Sequence, residues 1–136
     1  MIHAVWGTKN RQPILQKPQR YDLYKHIAEN AKSKGITIAE IGGFTEHIHC
    51  LFELPSDLSI AKAMQLIKGE ASFLANKTNL FPNKIEWADD YFAASVSESN
   101  LQKVISYIQG QEEHHKQTTF TQEFEKFISE YNFKGG

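Results

Sequence analysis

The chain has 136 residues, with 15 Lys+Arg against 16 Asp+Glu and a formal charge of −1. This length suits one domain, 1–136, that needs neither disulfide nor metal merely to fold, and the near-neutral balance excludes a broadly basic nucleic-acid binder, so any such contact must be local. The single cysteine, Cys50, excludes an intrachain bridge. Without a signal peptide or an apolar run of membrane-spanning length, this points to the cytoplasm and away from a membrane.

In chain order, "IHAVWGT" reads as a first strand. The stretch "TKNRQPILQKPQR" that overlaps its end carries Lys9, Arg11, Lys17 and Arg20 with no acid among them; such a stretch is more often a solvated loop than a phosphate track. A first helix follows, with Tyr24, Ile27, Ala28 and Ala31 at i, i+3, i+4 and i+7, and Gly35 is its stop. "ITIAEIGGF" is the second strand, with Gly42-Gly43 marking a bend before a third strand, "EHIHCLFELP". Ser59 is a candidate N-cap for a second helix whose stripe is Ile60, Ala63, Met64, Ile67, Ala71 and Leu74. "IEWADDYFAASV" is expected as a fourth strand. Ser99 and Gln102 of "SNLQ" form a predicted capping box opening a third helix with Leu101, Val104, Ile105 and Ile108 on one face. A last helix near Thr119 carries Phe120, Phe124, Phe127, Ile128 and Tyr131, a stripe suited to a core or a subunit interface.

The order β-α-β-β-α-β-α-α predicts an α+β fold: a ferredoxin-like or RRM-like two-layer sandwich, an antiparallel sheet with helices mainly on one face. Function has to be argued from the site.

The third strand raises the functional question. Alternation puts Ile48, Cys50, Phe52 and Leu54 on one face and His47, His49, Leu51 and Glu53 on the other. The first face belongs against the helices. The second holds two imidazoles roughly 6 to 7 Å apart at Cα, a spacing at which both can ligate one ion. An isolated His-x-His is more often a pair of satisfied or half-exposed histidines. A structural zinc centre is disfavoured, because it normally uses four protein ligands and the only cysteine points away.

Further groups come from the third helix, "SYIQGQEEHHK". At ~100° per residue, Asn100, Lys103, Tyr107, Gln111 and His114 share a polar stripe beside the apolar one. A tyrosine on the border of a packed face is by default an amphipathic anchor. Beside a bound divalent cation its hydroxyl can instead attack a phosphodiester and form a covalent phosphotyrosine. Gln111 would then add an amide oxygen ligand. His3, His114 and His115 carry no requirement for a special role.

With these residues in view, "EHIHCLFELP" resembles the His-hydrophobic-His motif of the HUH single-strand endonucleases, and "YIQGQ" resembles the Tyr-x-x-x-Gln of their one-tyrosine transposases. "HAVWGTKNRQPIL" is similar to that family's first strand, and "YFAASVSESNLQKVISYIQGQEEHHK" to its REP-associated tyrosine transposase branch. The resemblance implies a metal-dependent transposase acting on a single-stranded DNA hairpin. It implies Tyr107 as nucleophile, His47, His49 and Gln111 as ligands of Mg²⁺ or Mn²⁺, and a 5′-phosphotyrosine with a free 3′-OH. Many members are homodimers, and the REP-associated branch includes monomers. Glu46 and His114 are candidate supporting groups beside the metal. Lys9, Arg11, Lys68 and Lys103 are candidate DNA contacts. The competing reading is a non-catalytic single-stranded nucleic-acid-binding module on an RRM-like sheet, but the open face of the third strand suits a metal better than stacked bases.

Overall fold

The computed structural model describes residues 1–114; the expected last helix from Thr119, and His115, lie outside the described residues. The elements are β1 (Ile2–Gly7), α1 (Gln19–Ser33), β2 (Thr37–Gly43), β3 (His47–Glu53), α2 (Ile60–Lys77), β4 (Phe92–Ser95), α3 (Leu101–Gln109) and α4 (Gln111–His114). Short 3₁₀ turns occupy Lys9–Arg11 and Glu98–Asn100. The four strands form one sheet in the order β2-β3-β1-β4, and each neighbouring pair is antiparallel. This is the expected ferredoxin-like arrangement.

Period-two alternation divides the molecule. Ile2, Ala4 and Trp6 of β1 and Ile48, Cys50 and Phe52 of β3 face one way and are buried against α1 and α2. Leu23, Ile27 and Ala31 supply the α1 side, while Ala63, Met64, Ile67, Ala71 and Ala75 supply the α2 side. Each large side chain withdrawn from water here contributes about 1.5–3 kcal/mol before the entropy of ordering is subtracted. Burial also pushes the Cys50 thiol pKa up, so it remains a neutral core residue.

α3 lies across the opposite face, where Val104 and Ile108 pack on Leu51. This second contact removes the face carrying His47 and His49 from solvent; both are fully buried.

Several local expectations hold. The Ser59 hydroxyl accepts from the Lys62 backbone N–H at 3.0 Å, capping α2. Gly35 follows α1 with φ 81°, a left-handed position that suits a helix stop.

Others are corrected. The α2 stripe ends on Ala75 rather than Leu74. Gly42 and Gly43 are not a bend: both pair within the sheet, with His49 and Ile48, and the turn comes after them. The fourth strand is confined to Phe92–Ser95, because the chain bows away at Asp89 and Asp90, exposed carboxylates that are poor strand formers. The Ser99–Gln102 capping box does not form. Residues 98–100 make a 3₁₀ turn in which the Ser99 hydroxyl meets Ser97 at 3.1 Å, so the helix starts at Leu101 with no side-chain cap. The third helix is not continuous to His114: Gly110 interrupts it, its N–H bonded back to Ser106 O and Ile108 O.

Candidate active site on the histidine face

His47 and His49 leave β3 on the same side, with ring centroids 5.1 Å apart and planes at 78°. Tyr107 approaches from α3, its ring edge-on to His49 at 5.3 Å between centroids. Gln111, at the start of α4, is buried, and its Oε1 lies 2.9 Å from His47 Nε2. Thus the four residues singled out from two distant motifs converge at one place.

The interruption at Gly110 does not separate Tyr107 from Gln111. The Gln111 amide nitrogen donates to Tyr107 O at 3.3 Å, which orients Oε1 toward His47. The approach of α3 depends on Gly42. A methyl group there would lie 2.7 Å from the Ile108 carbonyl oxygen, a backbone atom that cannot swing aside. Gly42→Ala is therefore expected to displace α3 and to cost about 1–3 kcal/mol, the range for overpacking a filled contact. Urea denaturation would measure this loss; unchanged stability would mean that α3 has room to spare.

Both histidines are held through Nδ1. The Glu46 carboxylate lies 2.8 Å from His47 Nδ1, and Thr45 Oγ1 donates to the other Glu46 oxygen at 2.9 Å. His49 Nδ1 lies 3.0 Å from Nε2 of His3, whose ring stacks on it with centroids 5.2 Å apart. Burial pushes the His3 pKa down to about 4, so His3 is neutral near pH 7. With His49 Nδ1–H as the donor to His3, the lone pair of His49 resides on Nε2.

This donor set fits a divalent cation. With its Nδ1–H given to Glu46, His47 directs an Nε2 lone pair at the Gln111 carbonyl oxygen, so two acceptors face each other. A second proton on His47, or a cation shared by the two atoms, removes the conflict. Their 2.9 Å separation is close to the ~3.0 Å edge of an octahedron with ~2.1 Å bonds. Among the described residues no three His, Cys, Asp or Glu side chains are grouped to hold an ion. The third protein donor here is an amide oxygen, and two imidazoles with one oxygen leave positions for water or phosphate.

The basic candidates separate. Lys9 pairs with Glu86 at 3.4 Å on the surface. Lys68 donates to Ala88 O at 3.0 Å, while Lys103 is exposed on α3 one turn before Tyr107. Arg11 reaches the histidine face: a methyl at Gly7, the residue paired with His47, would lie 3.8 Å from its Nη1. Nothing is described of the His114 side chain.

Arg20 is not part of a phosphate track. It is buried, donating to Leu15 O at 2.8 Å and to Glu112 Oε1 at 2.6 Å. Glu112 also accepts from Tyr21 Oη at 2.6 Å and pairs with Lys17 at 2.8 Å. Partial burial would raise the Glu112 pKa, but the hydrogen bonds from Lys17, Tyr21 and Arg20 outweigh it and hold the carboxyl at about 2. The cluster fastens α4 to α1 one residue beyond Gln111. Sequence reasoning overlooked it and His3 alike. The signal for His3 was alternation in "IHAVWG", which puts it opposite Ile2, Ala4 and Trp6; no local pattern pairs Arg20 with Glu112.

Similarity to known proteins agrees with this geometry. A crystal structure from Deinococcus radiodurans, of a protein assigned as a transposase, superposes with a TM-score of 0.62 at 22% identity, covering 81% of this chain and 88% of that one. A REP-associated tyrosine transposase solved with a REP hairpin superposes with a TM-score of 0.64 at 19% identity, covering 84% and 67%. These likenesses establish an α+β fold shared with transposases. In sequence, the transposase of insertion sequence element IS200 from Salmonella typhimurium strain LT2 is 25% identical over 119 residues, 84% of this chain and 78% of that protein. The Salmonella typhi counterpart matches to the same extent. The profile of the IS200-like transposases matches residues 1–111, and the chain belongs to that family. Its class of activity is therefore DNA cleavage and strand transfer.

Proposed function

We propose that the chain is a metal-dependent transposase that cleaves and rejoins single-stranded DNA at hairpin-bearing ends through a 5′-phosphotyrosine on Tyr107. The supporting observation is the convergence of His47, His49, Tyr107 and Gln111 from three elements, β3, α3 and α4, onto one patch. The hairpin is inferred from the structural neighbour solved with one.

His47 Nε2, His49 Nε2 and Gln111 Oε1 would hold Mg²⁺ or Mn²⁺; two imidazoles favour the latter in affinity. When bound, the ion polarises the scissile phosphate and offsets the charge that develops on it. Glu46 and His3 keep the two imidazoles oriented through Nδ1. Tyr107 Oη forms a bond to phosphorus, the P–O3′ bond breaks, the phenolic proton passes to solvent and the leaving oxygen becomes a 3′-OH. The reverse attack by a 3′-OH rejoins the strand and releases the tyrosine, so no nucleotide triphosphate is consumed. The four residues lie together within one chain, which supports a site assembled in cis, in a homodimer or a monomer alike. The reaction takes place in the cytoplasm.

The test is a covalent-adduct assay: purified protein, Mn²⁺ and labelled single-stranded hairpins taken from the DNA flanking its own gene. A protease-sensitive band on a denaturing gel that requires Mn²⁺ or Mg²⁺ is the expected result. Hairpin binding with no adduct in either metal would instead favour the non-catalytic binding module.

A further inference from the structure

Beyond Val5, β1 loses β4 as a partner on its outer edge while β3 continues on the other. Val5 pairs with Phe92, and Gly7 O next accepts from Ala88 N at 2.9 Å. Asp89, Asp90 and Tyr91 therefore bow outward opposite Trp6. Asp90 and Tyr91 of this bow line a cleft of about 510 Å³ together with Asn10, Arg11, Val5, Gly7 and Phe92. That volume lies within the ~300–1,000 Å³ range of small-ligand sites.

Three observations bear on the occupant. The cleft adjoins the histidine face, since the Phe92 ring stands edge-on to His3 with centroids 6.3 Å apart. Its Arg11 wall is built at a conformational cost: Asn10 and Arg11 both have left-handed backbones, φ 57° and 55°. That turn folds the chain back so that the Arg11 guanidinium lies beside Gly7, the residue paired with His47. Tyr91, also in the lining, is 38% exposed, with the Lys68 ammonium 5.7 Å from its ring centroid. An aromatic platform, a bidentate cation and a recess of this size suit one unpaired nucleotide. The exposed Asp89 and Asp90 repel phosphate from the loop side, so the backbone must enter on the Arg11 side.

We propose that this cleft takes the unpaired base of one nucleotide next to the scissile phosphate, stacked on Tyr91, while Arg11 engages the phosphate between base and active site. The inference rests on the transposase reading for its substrate and adds a single-nucleotide subsite to it.

The experiment uses the full chain carrying Tyr107→Phe, so that binding is read without cleavage. Hairpins with single-stranded flanks carry 2-aminopurine at one flank position at a time. One position is expected to lose emission severalfold on binding. Adding Tyr91→Ala should restore that emission and weaken flank-dependent binding roughly tenfold, as expected for losing one base–aromatic stack. Arg11→Gln should reduce the slope of log affinity against log salt by about 0.7, one single-strand phosphate contact. Both side chains are exposed, and circular dichroism will check that the fold is kept. If no position responds, or the response survives Tyr91→Ala with an unchanged salt slope in Arg11→Gln, the subsite is overturned. The adduct assay on the otherwise unmodified chain separates the two ideas. An adduct without a seated base removes the cleft and keeps the transposase chemistry; a seated base without an adduct does the reverse.

Discussion

Tyr107→Phe is expected to eliminate the covalent protein–DNA adduct, to below ~0.1% of the unmodified chain, while leaving hairpin binding within about twofold. The substitution removes one oxygen from a half-buried ring and keeps its edge-on contacts with His49 and His3. Stability should therefore change by less than about 1 kcal/mol. A denaturing gel and a thermal melt on the same preparation check both halves. An adduct that survives would transfer the nucleophile role to another residue, and loss of the fold would make Tyr107 a core anchor.

The second large effect is expected at the α1–α4 junction. Glu112→Ala leaves the Arg20 guanidinium buried without its carboxylate partner, still donating to Leu15 O at 2.8 Å, and deprives Lys17 and Tyr21 of their shared partner. Breaking a buried pair typically costs about 3–5 kcal/mol; the Glu112 side chain is 34% exposed, so solvent screening reduces the expected loss to about 2 kcal/mol. For a domain of this size that corresponds to a melting point lower by roughly 8 °C. Because Gln111 precedes Glu112, loosening α4 should also weaken Mn²⁺ binding, measured by calorimetry, by about tenfold. Glu112→Gln, which retains hydrogen bonding, should recover much of both. A destabilised variant with unchanged Mn²⁺ affinity would show that the cluster serves the fold alone.

Much of the architecture was legible in the sequence because it follows from local rules. Alternation in "HIHCLFE" assigned each β3 side chain to its face, since that assignment depends only on strand geometry. The Ser59 cap and the Gly35 stop were legible for the same reason: each depends on residues within one turn. Where local signals competed with longer-range forces they failed. Ser99 and Gln102 matched a capping pattern, but the chain leaving β4 continues through a 3₁₀ turn before α3 begins. Asp89 and Asp90 interrupted what looked like one strand, and their effect depends on the edge of β1 that they leave uncovered.

The candidate site divides along the same line. The sequence alone determined which residue types were available and which motifs they formed: two imidazoles on one side of a strand, and a tyrosine and an amide four residues apart. Only the tertiary structure decided that α3 lies on the histidine face, where Gly42 lets its backbone come close. It also decided that His3 backs His49, that Arg20 is a buried clasp, and that Arg11 lies beside Gly7, the residue paired with His47. Those contacts join residues far apart in the chain; Arg20 and Glu112 are separated by 92 positions. The physical reason is that their partners are set by sheet register and helix packing, which depend on the whole apolar pattern at once and leave no short-range trace.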